Sequence, residues 1–476
     1  MILVNIRLLS ELPLALALSR RLHARGETLA FCAETDDPVT TARIDTAVAD
    51  FNARSINMAA KVRAVEAKGN APSWAGRMSS SARAWLPDRR SADDRALDES
   101  PRGKAFLIAL SYELVAAREV IAQIKPDLLV VFQDGVSANY ALIKAARESG
   151  VPIVDCPYGS GTSRDFDDYL DEKAAEDNLH VTDGPFGERV QREYPHWVRH
   201  DKRGAVLMFP GEYILVRERL GLSLPLPWVI HGGAADLLAA ESEVMYERYL
   251  EEGIAATKVK LTGTVYCDVM ADRLSSSPEA MAAFAGARKI RSGSTSVLVS
   301  LPPSLHGIRS RFSEFETYEA GCEAIVQMFR SRPNVSAVVS LHPNASAEQR
   351  RFVENLDLPV STDWVVPLIP TFDVFFTTFS STIRWAIASG KPVLNYNMYS
   401  YNNHDYDTVE GVFTHRHLRE VEATLDRLLD DREYAVVSTR QKADGARWGM
   451  MDGQNFERIY GAVSALRPSR PGEARR

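Results

Sequence analysis

The chain has 476 residues, too many for one compact core and comfortable for two α/β domains. Its 45% apolar and 25% charged content is ordinary for a soluble globular protein, and a formal charge of −7 argues against broad nucleic-acid binding, which needs a basic face. Four scattered cysteines, Cys32, Cys156, Cys267 and Cys322, form neither a disulfide framework nor a metal-ligand spacing and suit reduced thiols in the cytoplasm.

The first stretch, MILVNIRLLSELPLALALSRRLHARG, lacks a basic leader and is interrupted by Glu11 and Pro13, so it predicts a strand and a helix rather than a secretion signal. The strand TLAFCAE follows. Residues 66–104, rich in Ser, Ala, Arg, Asp and Gly, predict a mobile surface insertion that could serve as a lid. PDLLVVFQ (126–133) and VPIVDCP (151–157) predict strands around the helix ANYALIKAARESG, which stops at Gly150. Residues 160–225 give no clear pattern. LPWVIHGG (226–233) reads as strand then turn, AADLLAAESEVMYERYLEEGI as one long helix ending at Gly253, and KVKLTGTVYCD as strand then turn. Beyond a turn-rich boundary near 270–294, a second series contains SVLVSLPP (296–303), a helix near 314–330, VSAVVSLHPN (335–344), DVFFTT (373–378) and KPVLNYN (391–397). Residues 432–466 are helical by pattern, and the tail 467–476, rich in Pro and Arg, predicts disorder. No stretch approaches 18 consecutive apolar residues, so no membrane-spanning helix is expected.

Short apolar runs alternating with helical patterns predict parallel sheets built from βαβ units. Two halves, 1–270 and 285–440 with further helices at 441–466, would face each other across a cleft. Ligands of such sheets bind beyond the carboxyl ends of the strands, and several motifs fall there. In FSST (379–382) the hydroxyls of Ser380, Ser381 and Thr382 open a helix whose free N–H groups suit a phosphate, with Arg384 adding charge if it turns inward; N-capping by one hydroxyl is the plain alternative. His342, followed by Pro343 and Asn344, ends a strand where it could donate to a phosphate, move a proton, or simply bond its own loop. His231 precedes two glycines that permit close approach, and His306 in PPSLHGIRS is placed similarly. Asp134 in FQDGVS could accept a proton from an acceptor hydroxyl, although Asp-Gly is also ordinary turn chemistry. The loop YNMYSYNNHDYDTVEG (396–411) gathers Tyr396, Tyr401, His404 and Asp405, a composition suited to a sugar or nucleobase. No G-x-G-x-x-G follows the first strand, which disfavours NAD, and Walker A, zinc-hydrolase and nucleophile-elbow patterns are missing. Neither a cofactor nor a metal is expected.

Two segments carry a resemblance. HGGAADLLAAESEVMYERYLEEGIAATKVKLTGTVYCD and TTFSSTIRWAIASGKPVLNYNMYSY, within 226–268 and 335–413, resemble GT-B glycosyltransferases. More narrowly they resemble the CDP-glycerol glycerophosphotransferases of teichoic acid synthesis and the Kdo and sialic acid transferases of capsule synthesis. The resemblance implies two Rossmann-like domains and an inverting, metal-independent transfer from a CMP-, CDP- or UDP-linked donor to a glycan or lipid-linked acceptor. Cytidine is the implied base. It implies catalysis at His231, donor phosphates on His342, Ser380 and Ser381, and a base at Asp134, with Gln133 standing where the Kdo and sialic acid enzymes keep a second acid. The expected location is cytoplasmic, at most peripheral to the inner membrane. UDP-GlcNAc 2-epimerases share the fold more loosely, and an epimerase or hydrolase, for which His306 would gain importance, or a non-catalytic nucleotide-sugar-binding protein are the alternatives.

Overall fold

The computed structural model describes residues 1–467 except 69–91, 137, 139, 160, 302–303, 342–344 and 403. Strands β1 (Ile2–Ile6), β2 (Leu29–Ala33), β4 (Leu128–Val131) and β5 (Ile153–Asp155) are buried at every position, as apolar runs covered on both faces must be. With β3 (Arg54–Asn57), β9 (Leu237–Ala240) and β10 (Val259–Leu261) they form one parallel sheet in the order β10-β9-β5-β4-β1-β2-β3. The second parallel sheet has the order β13-β12-β11-β14-β15-β16, from β11 (Thr295–Leu301), β12 (Val335–Leu341), β13 (Val360–Ser361), β14 (Val374–Thr377), β15 (Val393–Tyr396) and β16 (Val412–His415). Each sheet reverses strand order once, between β1 and β4 and between β11 and β14, and a ligand crevice opens at such a reversal. Segment 160–225, which shows no sequence pattern, carries a small antiparallel sheet of β6 (His180–Val181), β7 (Val198–Asp201) and β8 (Gly204–Leu207) with flanking helices.

The first turn explains the missing glycine loop. The carboxylate of Glu11 is buried and accepts the backbone N–H of Arg7 at 2.7 Å and of Leu8 at 3.2 Å, just ahead of helix Leu12–Ala24. A side-chain anion thus fills the place where a dinucleotide phosphate would need free N–H groups.

Four expectations are corrected. LPWVIHGG contains no strand; the strand is β9, inside the run expected to be one long helix, and the helix begins only at Glu243, capped by Ser242. Leu-Leu-Ala-Ala has high helix propensity, but burial on both faces of a parallel sheet overrides it. Within 66–104, residues 58–67, 92–99 and 101–124 belong to helices, while 69–91 lie outside the described residues. The turn-rich stretch 270–294 holds the second half of helix Val265–Leu274 and all of helix Pro278–Ala287. Of the tail, Arg467 is anchored by Glu27 and by Asp127 at 2.8 Å, and 468–476 lie outside the described residues.

The two sheets share one apolar cluster that runs from Ile2 and Val4 to Leu298, Phe375 and Trp385. Helix Asp431–Trp448 packs on Ile383–Ala388 and on Glu243–Glu251, and helix Asn455–Leu466 returns to the first half. There, buried Asp268 accepts the Asn455 and Phe456 backbone N–H groups at 2.9 and 2.8 Å. No helix among the described residues is long and apolar enough to cross a membrane. All four cysteines are free and buried.

Candidate functional site

The two glycine motifs of the first half meet. A Cβ on Gly135 would overlap the carbonyl oxygens of Val229 and Ile230, and one on Gly232 would stand 3.1 Å from the Gly135 Cα. This backbone-to-backbone approach brings Asp134, at the carboxyl end of β4, beside His231. A third group completes the cluster: Asp155, the last residue of β5, accepts His231 Nδ1 at 2.6 Å. Relative exposures are 1% for Asp134, 0% for Asp155 and 1% for His231.

The electrostatics follow from that burial. Burial raises the Asp134 carboxyl to about 7, the Asp155 charge adding to the rise and the Ala235 N–H, donated to Asp134 Oδ2 at 2.6 Å, opposing it. Burial also raises Asp155 well above the carboxylate range, with Glu241 and Glu11 adding to it and the Asp134 hydrogen bond opposing. For His231, burial favours the neutral ring against the pull of Asp134, Glu241 and Glu252. Neutral His231 donating Nδ1–H to Asp155 leaves Nε2 an acceptor, and that atom has no partner among the described residues; Asp134 Oδ1 and Asp155 Oδ1 have none beyond the hydrogen bond between the two carboxyls. One proton held between the two carboxyls and an acceptor nitrogen beside them make a proton-handling centre.

The same three residues offer ligand atoms within 4.8 Å of one another and are the cluster among the described residues that could hold a metal ion. Two of their atoms, His231 Nδ1 and Asp155 Oδ2, are however 2.6 Å apart. Ligands at about 2.1 Å around one tetrahedral cation stand about 3.4 Å apart. That pair is a hydrogen bond, and the atoms it leaves for a cation are His231 Nε2, Asp134 Oδ1 and Asp155 Oδ1.

A buried chain of side chains leads from this centre to the second half. Tyr249 meets the His231 ring edge-on at 5.3 Å and donates its hydroxyl to Glu241 Oε2 at 3.0 Å. Glu241 pairs with Arg384, whose guanidinium also donates to the Tyr158 carbonyl at 3.2 Å and covers the Trp385 ring at 4.1 Å. Arg384 is 0% exposed. It therefore does not add its charge to the hydroxyl loop; it crosses into the first half and neutralises Glu241.

The hydroxyl loop itself follows β14. Phe379 adopts φ +63°, with its N–H held by Asn395 Oδ1 at 3.0 Å, and Ser380 Oγ bonds Thr382 Oγ1 at 2.8 Å and accepts the Thr382 N–H at 3.2 Å. The helix after it, Ile383–Ala388, is six residues long; Thr382 does not cap it, and the Ser380 contact with the Thr382 N–H accounts for one of the three hydroxyls. Thr378, Phe379, Ser380 and Ser381 line a cavity of roughly 390 Å³ with Ser300, Leu301 and Leu305 from the end of β11 and Tyr399 and Tyr401. It sits at the strand-order reversal of the second sheet. Ser381 is exposed, whereas Thr378 Oγ1 is buried with no partner among the described residues.

Asp165 and Asp168 of the first half close the opposite wall. Arg309, buried above the Tyr401 ring at 4.0 Å, bridges the halves through Glu172 at 2.7 Å and Asp168 at 3.5 Å. His306 stands behind the cavity, its ring nitrogens on Tyr399 Oη at 3.0 Å and the Phe315 carbonyl at 3.1 Å. The 396–411 loop divides: Tyr401 stacks on Phe379 at 4.7 Å in the wall, but Tyr396 is a core residue bonded to Glu314 at 2.6 Å. His404 is exposed and bonds Asp407 at 2.6 Å, and Asp405 pairs with Arg164 at 3.4 Å and Arg248 at 3.2 Å, so the structure gives Tyr396, His404 and Asp405 positions outside the cavity lining. His342, Pro343 and Asn344 lie outside the described residues.

No known family's sequence model matches the chain, and no curated protein does. Among solved structures it is similar to the S. aureus MnaA–UDP co-structure (TM-score 0.51, 15% identity, 99% of each chain covered). It is similar also to the UDP-GlcNAc 2-epimerase from Neisseria meningitidis bound to UDP-GlcNAc (0.51, 13%, 98% of this chain and 99% of that one) and to CalG4, the calicheamicin glycosyltransferase (0.53, 14%, 98% of each). The two Rossmann-like sheets facing across a cleft are thus the GT-B fold. Within that fold this chain carries the sealed Asp134–Asp155–His231 cluster, tied by Glu241 and Arg384 to the hydroxyl loop.

Proposed function

We propose that the protein is an enzyme of nucleotide-activated sugars, transferring the sugar from its nucleotide to a glycan or lipid-linked acceptor without a metal. The observation that carries this reading is the cavity at 377–381. Its wall gathers Thr377, Thr378, Ser380 and Ser381 at the carboxyl end of β14, with Ser381 exposed. A phosphate there accepts from the Ser380 and Ser381 hydroxyls where charge develops on the leaving group. Asp165 and Asp168 suit ribose or sugar hydroxyls rather than phosphate. Asp134 and His231 are the groups for the acceptor's proton, with Asp155 holding the His231 tautomer.

The UDP of the S. aureus MnaA structure and the UDP-GlcNAc of the Neisseria meningitidis epimerase support a UDP-linked donor over the cytidine implied by the teichoic-type resemblance. A second reading has its own support. Two carboxyls and a neutral histidine in one buried centre suit removal and return of a proton on the sugar itself, as an epimerase or hydrolase requires.

One experiment series tests both. UDP should raise the melting temperature more than CMP, CDP or GDP, and Ser381→Ala combined with Thr378→Val should weaken UDP binding about tenfold while leaving the ligand-free melting temperature near wild type. Indifference to every nucleotide would refute the site. Incubation with UDP-GlcNAc alone then separates the readings: release of ManNAc or UDP-ManNAc excludes the transferase.

A further inference from the structure

A second cavity, of roughly 420 Å³, lies at the carboxyl ends of β1, β2 and β3, where Arg7, Glu34, Thr35, Asp36 and Met58 follow those strands. Its far wall comes from the helices Pro101–Ile124, Tyr140–Glu148 and Gly211–Arg219, through Glu113, Tyr140 and Arg217. This volume suits a small molecule of one or two rings.

Arg217 is the unusual feature. It is 4% exposed, yet it makes no ion pair among the described residues. Its Nε donates to the Leu222 carbonyl at 3.0 Å, and Tyr140, Trp197 and Tyr213 enclose the guanidinium with their rings 5.3, 5.8 and 5.8 Å away. Nη2 has no partner among the described residues, and neither does the buried hydroxyl of Tyr140, whose ring lies under the guanidinium. A buried cation is ordinarily paired, because aromatic faces and one carbonyl compensate only part of its lost hydration. Glu113, the carboxyl whose field acts on Arg217, is itself raised by burial and makes no ion pair with it. The cation and the hydroxyl have no anionic acceptor among the described residues.

The chemistry of a fitting partner follows from the lining. Two donor residues lining one cavity, a guanidinium over a phenol ring, match the two oxygens of one planar group. Glu34, Asp36 and Glu113 line the same cavity and repel a dianion far more than a monoanion. Met58, Val62, Leu110 and Leu222 supply an apolar floor.

We propose that this cavity is a binding site for a carboxylate-bearing small molecule, its carboxylate on Arg217 and Tyr140 and its body over Met58, Val62 and Leu110. Binding does not depend on the nucleotide reading. Where that reading holds, the proximity matters: Arg7 lines this cavity and reaches Gln133, next to Asp134, at 3.4 Å. The ligand then stands on the acceptor side of the proton-handling centre, and an acidic sugar becomes the acceptor class.

Glucuronate is the probe, with glucose and inorganic phosphate as controls, each followed by ligand-observed NMR on the full-length protein without nucleotide. Glucuronate should bind and both controls should fail. Tyr140→Phe removes one oxygen from a packed ring and should weaken glucuronate severalfold, and Arg217→Lys, which keeps the charge but not the fork, by about tenfold. Circular dichroism and UDP-induced thermal shift, both unchanged in Tyr140→Phe, certify the fold and keep the outcome separate from that of the donor site. Equal binding of glucose and glucuronate, binding of phosphate in preference to glucuronate, no binding of glucuronate, or wild-type glucuronate binding by a folded Tyr140→Phe and Arg217→Lys pair would each overturn the proposal.

Discussion

Replacing Asp134 by Asn isolates the proton held in the buried cluster. The amide keeps an oxygen for the Ala235 N–H and an N–H for Asp155, so it imitates the protonated carboxyl. In the folded wild type the Asp134 pKa rises from its ordinary 3.8 to about 7, chiefly through burial, with Asp155 adding to the rise and Ala235 and His231 opposing it. Between those two pH values the folded state binds more protons than the unfolded chain. The stability of the wild type therefore falls as pH rises from about 4 to about 7 and the Asp134 contribution is level above that. Three pK units correspond to about 4 kcal/mol, the ceiling for a proton shared with Asp155. Urea unfolding followed by tryptophan fluorescence, run on both proteins across pH 4 to 8, reads the difference directly. The two curves should coincide near pH 4 and separate progressively to pH 7, with the variant the more stable. A difference that stays flat with pH, or a wild type that gains on the variant as pH rises, would show that Asp134 ionises freely and would refute the shared-proton centre.

Glu241→Gln leaves Arg384 buried without its counter-charge, and a loss of roughly 3–5 kcal/mol is expected in the same unfolding assay. The double variant Glu241→Gln with Arg384→Met should recover much of it, and failure to recover would mean that the pair is not the dominant interaction at that point. Gly135→Ala drives a methyl group into the carbonyl oxygens of Val229 and Ile230. It should destabilise the protein by more than about 2 kcal/mol and abolish the downfield Nδ1 proton resonance of His231, because the 229–232 loop must retreat; an unshifted resonance would show that the glycine contact does not hold the cluster together.

Much of the architecture was legible because buried parallel strands are uninterrupted apolar runs: MILVNI, LLVV and VLVSL announce themselves. The failures share one cause. Leu237–Ala240 reads as helix by residue type, and only the neighbouring strands make it a strand. Of the site, Asp134, His231 and the hydroxyl loop were visible as polar groups at expected strand ends. Asp155 was not singled out, although a carboxylate closing the buried run Ile153–Asp155 was a usable signal, since such a position needs a partner. Arg384 was visible but misassigned. Sequence fixes its distance from Ser381, whereas its direction depends on Glu241, 143 residues away.

That direction bears on how the cleft can work. Two kinds of contact cross it. Arg384 and Glu241 are sealed, at 0% and 1% side-chain exposure, and parting them strands two charges in a low-dielectric interior. Arg164–Asp405 lies toward the rim, with Arg164 66% exposed, whereas Arg309, which meets Asp168 and Glu172, is itself only 4% exposed, so water can readily replace the first contact but not the other two. The Arg384–Glu241 pair, two residues beyond Thr382 and one side chain from Tyr249, ties the hydroxyl loop to the ring that packs on His231, so parting the two halves at that point is costly.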